Sequence, residues 1–209
     1  MRRRATIAAA LLLALATSGC TAESGLVSVA PQPVSSVTTD AGGGAQFAII
    51  ADFGNCDAGE REVADMVIAW NPEIIATAGD NTQGTKDCVP FDQSVGDYYS
   101  SFVSGPDGPA FFPVPGNHDY ENEGAGEAAY LDYFAYLGAL SDNPLWYEVS
   151  TGSVNLFMLD SEVSSEQLAV QRDWLQTALS DARSTAPTDW TDVLVPAPPS
   201  TPGPPGPPP

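Results

Sequence analysis

Several residue types are scarce in this sequence, and each scarcity excludes something. There is one histidine, His118, in 209 residues. With no His after it, the C-terminal third of the chain can offer no imidazole ligand to a metal. Only 7 Lys and Arg stand against 27 Asp and Glu, a formal charge of -20. So few cations cannot form a phosphate-neutralising patch, and nucleic acid is excluded as a partner on that ground. The bland reading of the acidity is solubility outside the cell. No apolar run is long enough to span a bilayer comfortably; the longest, Ala8 to Ala16, is too short. Gly42-Gly43-Gly44 is not followed by Gly-Lys-Ser/Thr, so no phosphate loop is present. Asp52-Phe53-Gly54 lacks the glycine-rich and His-Arg-Asp loops of a kinase, which removes that reading.

The N-terminus has the layout of a signal peptide over residues 1–19. Arg2-Arg3-Arg4 precedes the apolar run, and Thr17-Ser18-Gly19 lead into Cys20. These small residues before Cys20 resemble a bacterial lipoprotein box, with Thr17 where such boxes usually carry Leu. The expectation is export, with a lipid on Cys20 anchoring the chain to a membrane, or ordinary secretion. Residues 20–45, rich in Ser, Thr, Ala, Gly and Pro, read as a flexible tether. Cys56 and Cys88 lie shortly after Asp52 and Asp80. An oxidising compartment would let them form one disulfide. The alternatives are two free thiols or, against the surrounding hard oxygens, metal ligation.

What is present is a repeated pattern. Gln46 to Ala51 runs into Asp52-Phe53-Gly54. Glu73 to Ala78 runs into Gly79-Asp80-Asn81. Ala110 to Pro115 runs into Gly116-Asn117-His118-Asp119. Three short apolar runs each deliver Asp or Asn to the loop after an expected strand, where open α/β sheets bind ligands. Asp, Asp, Asn and His together suit a hard or borderline metal ion. Between the first two runs, Gly59 to Trp70 has helical spacing, with Val63, Met66, Val67 and Trp70 on one face. That strand-helix-strand unit implies a parallel pair with a right-handed crossover. Further helices are expected over 91–103, 129–137 and 166–179, the last with Leu168, Trp174, Leu175 and Ala178 inward. Further strands are expected over 111–114, 146–150, 154–159 and 193–195.

Asp-x-Gly, Gly-Asp-Asn and Gly-Asn-His-Asp, in this order and spacing, resemble the calcineurin-like metallophosphoesterases, and within them the purple-acid-phosphatase-like branch. The likeness runs from about Gln46 to Val195 and includes Phe111-Phe112-Pro113, Leu159-Asp160-Ser161 and Gln171-Arg172-Asp173-Trp174-Leu175. It implies an α/β sandwich of βαβ units and mixed sheets flanked by helices. It implies a hydrolase acting on phosphate esters, with two metal ions drawn from iron, manganese or zinc. By this resemblance Asp52 binds the first metal, Asp80 bridges both and Asn117 binds the second. His118 acts on the substrate as proton donor or transition-state stabiliser, oriented by Asp119. Such a pair makes hydroxide available near neutral pH for in-line attack on phosphorus.

The sequence also departs from the family. Gln83 stands where purple acid phosphatases carry a metal-binding Tyr, so no tyrosinate-iron colour is expected. The family's later His ligands have no counterpart, which leaves an incomplete oxygen cage. Residues 196–209 are a Pro/Gly-rich tail unable to build a core. A shifted reading frame across Ala197 to Thr201 can spell the family's His-His-Pro-Pro. The expectation is a domain over 46–195 whose C-terminal half is truncated or frameshifted, and a chain that is inactive as it stands. The alternative is a noncatalytic surface lipoprotein with a degenerate metal site.

Overall fold

A computed structural model describes residues 46–84, 88, 90–121, 126–186 and 189–197. The expected signal peptide, Cys20, the tether and the tail beyond Ala197 lie outside the described residues.

The first sheet is parallel throughout, in the order β1-β2-β3: Phe47–Ile50, Ile74–Thr77 and Phe111–Phe112. All four residues of β2 are buried, as a central strand covered on both faces requires. Among the described residues, phenols and not another strand close the outer edge of β3. Tyr130 and Tyr147 hydroxyls both donate to the Pro113 carbonyl, at 2.7 and 2.6 Å, and Tyr136 donates to that of Phe111 at 2.6 Å. Burial pushes the Tyr130 and Tyr147 hydroxyls well up, so both remain protonated donors. Carbonyls that would otherwise be buried without a partner are thereby satisfied.

The second sheet has the order β4-β5-β6: Tyr147–Thr151, Val154–Met158 and Trp190–Leu194. β4 and β5 are antiparallel around Gly152-Ser153, and β6 returns parallel to β5. Alternate residues of β4 face the core. Residues 155 to 158 of β5 are buried throughout. Both sheets feed one hydrophobic cluster that includes Ile75, Phe111, Tyr147, Leu156 and Met158. A long helix, α6 (Ser165–Thr185), starts at a Ser164/Gln167 capping box and reaches β5 through Trp174, whose ring lies 6.3 Å from that of Phe157.

The crossover helix α1 (Ala58–Ala69) is capped by Asp57, whose carboxylate accepts from the Glu60 N–H at 2.9 Å. Its buried face shares only Val67 with the one expected. Glu60, Ala64 and Val67 point inward, while Val63, Met66 and Trp70 are exposed. Two polar anchors set the helix rotation: Glu60 accepts from the Cys56 N–H, and Arg61 lies 4.0 Å over the Tyr98 ring. A turn of π-helix, Asp92–Gly96, then leads into α2 (Asp97–Val103), and Val95, Tyr98 and Tyr99 are buried.

Other differences are local. The strand expected over 111–114 keeps two residues, because Pro113 and Pro115 have no N–H to donate to a ladder. The helix expected over 129–137 divides into α4 (Glu127–Tyr133) and α5 (Leu137–Leu140). On α6 the innermost residues are Gln171 and Ala182, and Leu168 is exposed. The strand expected over 193–195 begins earlier, and its Trp190 is 74% exposed. Cys56 and Cys88 form a disulfide with Cα atoms 5.6 Å apart.

Candidate metal centre at the strand ends

Asp52 follows β1 by two residues, and Asp80 follows β2 by three. Both adopt left-handed backbone conformations, with φ of 54° and 52°. A non-glycine residue pays for that conformation, although Asp tolerates it better than most. The same unusual backbone at two parallel strand ends turns both loops at one edge of the sheet. A hydrogen bond joins them, from the Asp52 N–H to the Gly79 carbonyl at 3.3 Å. The Asp52 side chain is exposed and that of Asp80 is half-buried.

The third loop enters α3 (Asn117–Glu121) directly, a helix that periodicity did not foresee. The His118 N–H donates to Asp80 Oδ1 at 3.0 Å. Asn117 is exposed and His118 half-buried. Gly116 passes so close to Asp80 that a Cβ there would lie 2.5 Å from the Asp80 backbone nitrogen. The close approach of the two loops therefore depends on a residue without a side chain. Burial pushes the Asp80 carboxyl above its ordinary range. The His118 N–H and the His118 side chain oppose this, whereas the charges of Asp52 and Glu162 add to it. Such a carboxylate, partly desolvated beside other anions, is stabilised by a cation. Two carboxylates and an amide oxygen are donors that fit a hard or borderline divalent ion.

Asp119 carries a structural task that the sequence expectation did not include. It is buried, and its Oδ2 accepts from Gly116 N, Asn81 N and Asn81 Nδ2 at 2.8, 3.1 and 2.9 Å. Its Oδ1 accepts from Thr82 N at 3.0 Å. Burial pushes its carboxyl up to about 6 against these four donors. The third loop is thereby clamped to the second. Asn81, the last residue of Gly-Asp-Asn, is buried and also bonds the Val114 carbonyl and Thr77. Its membership of the motif was the only signal of that role.

Two further groups reach the same end of the fold. Asp160 follows β5 by two residues and is fully buried. It accepts from the Tyr120 hydroxyl at 2.5 Å and from the Glu162 N–H at 2.7 Å. The segment after β6 also returns here. The Ala197 N–H donates to Ser161 Oγ at 3.1 Å, and a Cβ on Gly79 would lie 2.6 Å from Pro196. The place where the resemblance puts a further His is therefore beside the Asp80 loop. The disulfide braces the first two loops from the other side: Cys88 Sγ lies 3.1 Å from the Gly54 carbonyl, and the Gln83 N–H donates to that carbonyl at 3.0 Å.

Residues 45–207 match the calcineurin-like phosphoesterase family. No curated protein matches the chain. Among solved structures, the purple acid phosphatase PPD1 from yellow lupin (Lupinus luteus) seeds is similar at 14% identity and a TM-score of 0.49. The match covers 71% of this chain and 29% of that one. The chain thus spans less than a third of the length of that solved relative.

Proposed function

The chain belongs to the calcineurin-like phosphoesterase family, and on that premise we propose that it represents an exported, metal-dependent hydrolase of phosphate esters. The observation that carries the reading is the convergence of Asp52, Asp80 and Asn117 at three strand ends, with His118 beside Asp80. Asp52 and Asn117 would each hold one cation of a pair, and Asp80 would lie between them as the shared ligand. A bound pair supplies Lewis-acid activation of the phosphoryl centre and of water. His118, one residue from Asn117, is placed to hydrogen-bond the phosphate or to give a proton to the leaving oxygen. Asp119 keeps Asn117 and His118 in register with Asp80 by clamping the two loops.

Three oxygen donors shared between two dications, with His118 the only imidazole in the sequence, make a weak cage. We therefore propose that this chain binds cations loosely and turns over little substrate. The same donor count favours a second reading, a noncatalytic exported protein with a degenerate site. The test is to purify the chain with manganese, zinc or iron, measure cation stoichiometry and assay a chromogenic phosphate monoester. Cation binding that disappears in Asp80→Ala supports the site. Turnover abolished by Asp80→Ala would overturn the claim of low activity and exclude the noncatalytic reading. Binding that survives Asp80→Ala would sink the site assignment.

A further inference from the structure

Helix α3 carries both Asn117 and His118 but is only five residues long. Such a helix cannot hold its own orientation and depends on its anchors. Two of these lead to the same loop: Asp119 to Asn81 and Thr82, and the His118 N–H to Asp80. These two anchors restrain α3 along one line, and the Gly126 N–H, which donates to the Asp119 carbonyl at 2.6 Å, ties it only to the segment that follows it in the chain. The hydrogen bond from Tyr120 to Asp160 runs instead to the second sheet. Asn117 and Tyr120 are three residues apart and share a helix face. Fixing the tyrosine therefore fixes the face that presents Asn117.

The far end of this anchor is built rigidly. Gln171 is buried on α6 and grips the Asp160 backbone with two bonds. The Asp160 N–H donates to its Oε1 at 2.8 Å, and its Nε2 donates to the Asp160 carbonyl at 2.9 Å. The Glu162 N–H holds the other carboxylate oxygen. An O–H bond to a buried carboxylate is among the stronger hydrogen bonds available to a protein.

We propose that Tyr120 and Asp160 are positioning residues that set the orientation of Asn117 and His118 at the cation site. The inference rests on the metal-site reading above, but its main test does not. His118 is the only histidine, so its imidazole proton signals are unambiguous in an NMR spectrum of the metal-free chain. Tyr120→Phe removes the hydroxyl and keeps the ring, and Asp160→Ala removes the acceptor from the other side. Tyr136→Phe is the control, because it deletes a bond of similar length, 2.6 Å, to the Phe111 carbonyl, away from α3. Near-UV circular dichroism identifies the variants that fold.

The expected result is that Tyr120→Phe or Asp160→Ala displaces or broadens the His118 signals by more than a line width, while Tyr136→Phe leaves them in place. Unchanged His118 signals in folded Tyr120→Phe or Asp160→Ala would overturn the proposal. So would an equal displacement in Tyr136→Phe, since that would reveal general loosening. A second arm measures Mn2+ binding, where loss of the Tyr120 bond is expected to weaken affinity about tenfold, as removal of a group that orients a ligand does. If the unaltered chain binds no Mn2+, the metal-site reading fails and the NMR arm alone decides the positioning role.

Discussion

Replacing Asp160 by Asn should change how the stability of this protein responds to pH, and the size of the change follows from burial. The Asp160 side chain is inaccessible to solvent. Desolvation pushes its carboxyl from an ordinary 3.8 up to about 6, outweighing the hydrogen bonds from Tyr120 and the Glu162 N–H. The folded state therefore holds this proton more tightly than the unfolded state does. The resulting stabilisation is complete below pH 3.8 and is lost as pH rises through about 6. A shift of that size corresponds to about 3 kcal/mol in all. Roughly half of it is lost between pH 5 and pH 8. That window also keeps the chain above the isoelectric point of about 4.1 that its sequence implies, where a net charge near zero promotes association.

Asn at this position cannot titrate. It retains an oxygen that can accept from Tyr120, so any loss of bonding adds an offset independent of pH. Urea unfolding of both proteins, followed by tryptophan fluorescence at several pH values in chelator-containing buffer, isolates the titrating part. Asp119 and Asp80 contribute equally to both curves and cancel in the difference. Asp160→Asn should gain about 1 kcal/mol on the unaltered chain between pH 5 and pH 8, a change in the unfolding equilibrium on the order of tenfold. Parallel stability curves would refute the reasoning. They would mean that Asp160 is as well solvated, or as well compensated, as in the unfolded chain.

Other perturbations address the clamp, the loop contact and the disulfide. Asp119→Ala leaves the N–H groups of Asn81, Thr82 and Gly116 without their buried acceptor and should cost about 3 kcal/mol, read from the urea midpoint. Gly116→Ala drives a methyl group into the Asp80 loop. It should destabilise the fold by about 1–3 kcal/mol and weaken cation binding in the same preparation, which calorimetry measures. Reduction of Cys56–Cys88 opens a loop with a sequence separation of 32 residues and should cost about 4 kcal/mol, seen as a lower melting temperature in the presence of a dithiol.

Much of the architecture was legible because it rests on local signals. Apolar runs ending in Asp or Asn marked β1, β2 and the third loop, and the resemblance of their motifs identified the family. Patterning was a poorer guide to which helix face turns inward. Val63, Met66 and Trp70 satisfy a helical period but remain exposed. Long-range polar anchors at Glu60 and Arg61 chose the rotation, and no periodicity encodes them. Helix α3 was hidden for a similar reason. Five residues carry too little pattern to detect, and contacts with distant loops hold them in place.

The sequence by itself determined the chemistry available: which acids follow which strands, that one imidazole exists, and that two cysteines flank the first two loops. Those are properties of residue identity and order. Only the tertiary structure decided how these groups are used. It turned Asp119 into a clamp with four donors, and it buried Asp160 under Tyr120 and Gln171. It also brought Pro196 against Gly79, 117 positions away in the chain. The physical reason is that desolvation and hydrogen bonding between distant segments arise only when both sheets close on a common core. A carboxylate has the same formula in a solvated turn and in a buried site, and its surroundings set its proton affinity and its task.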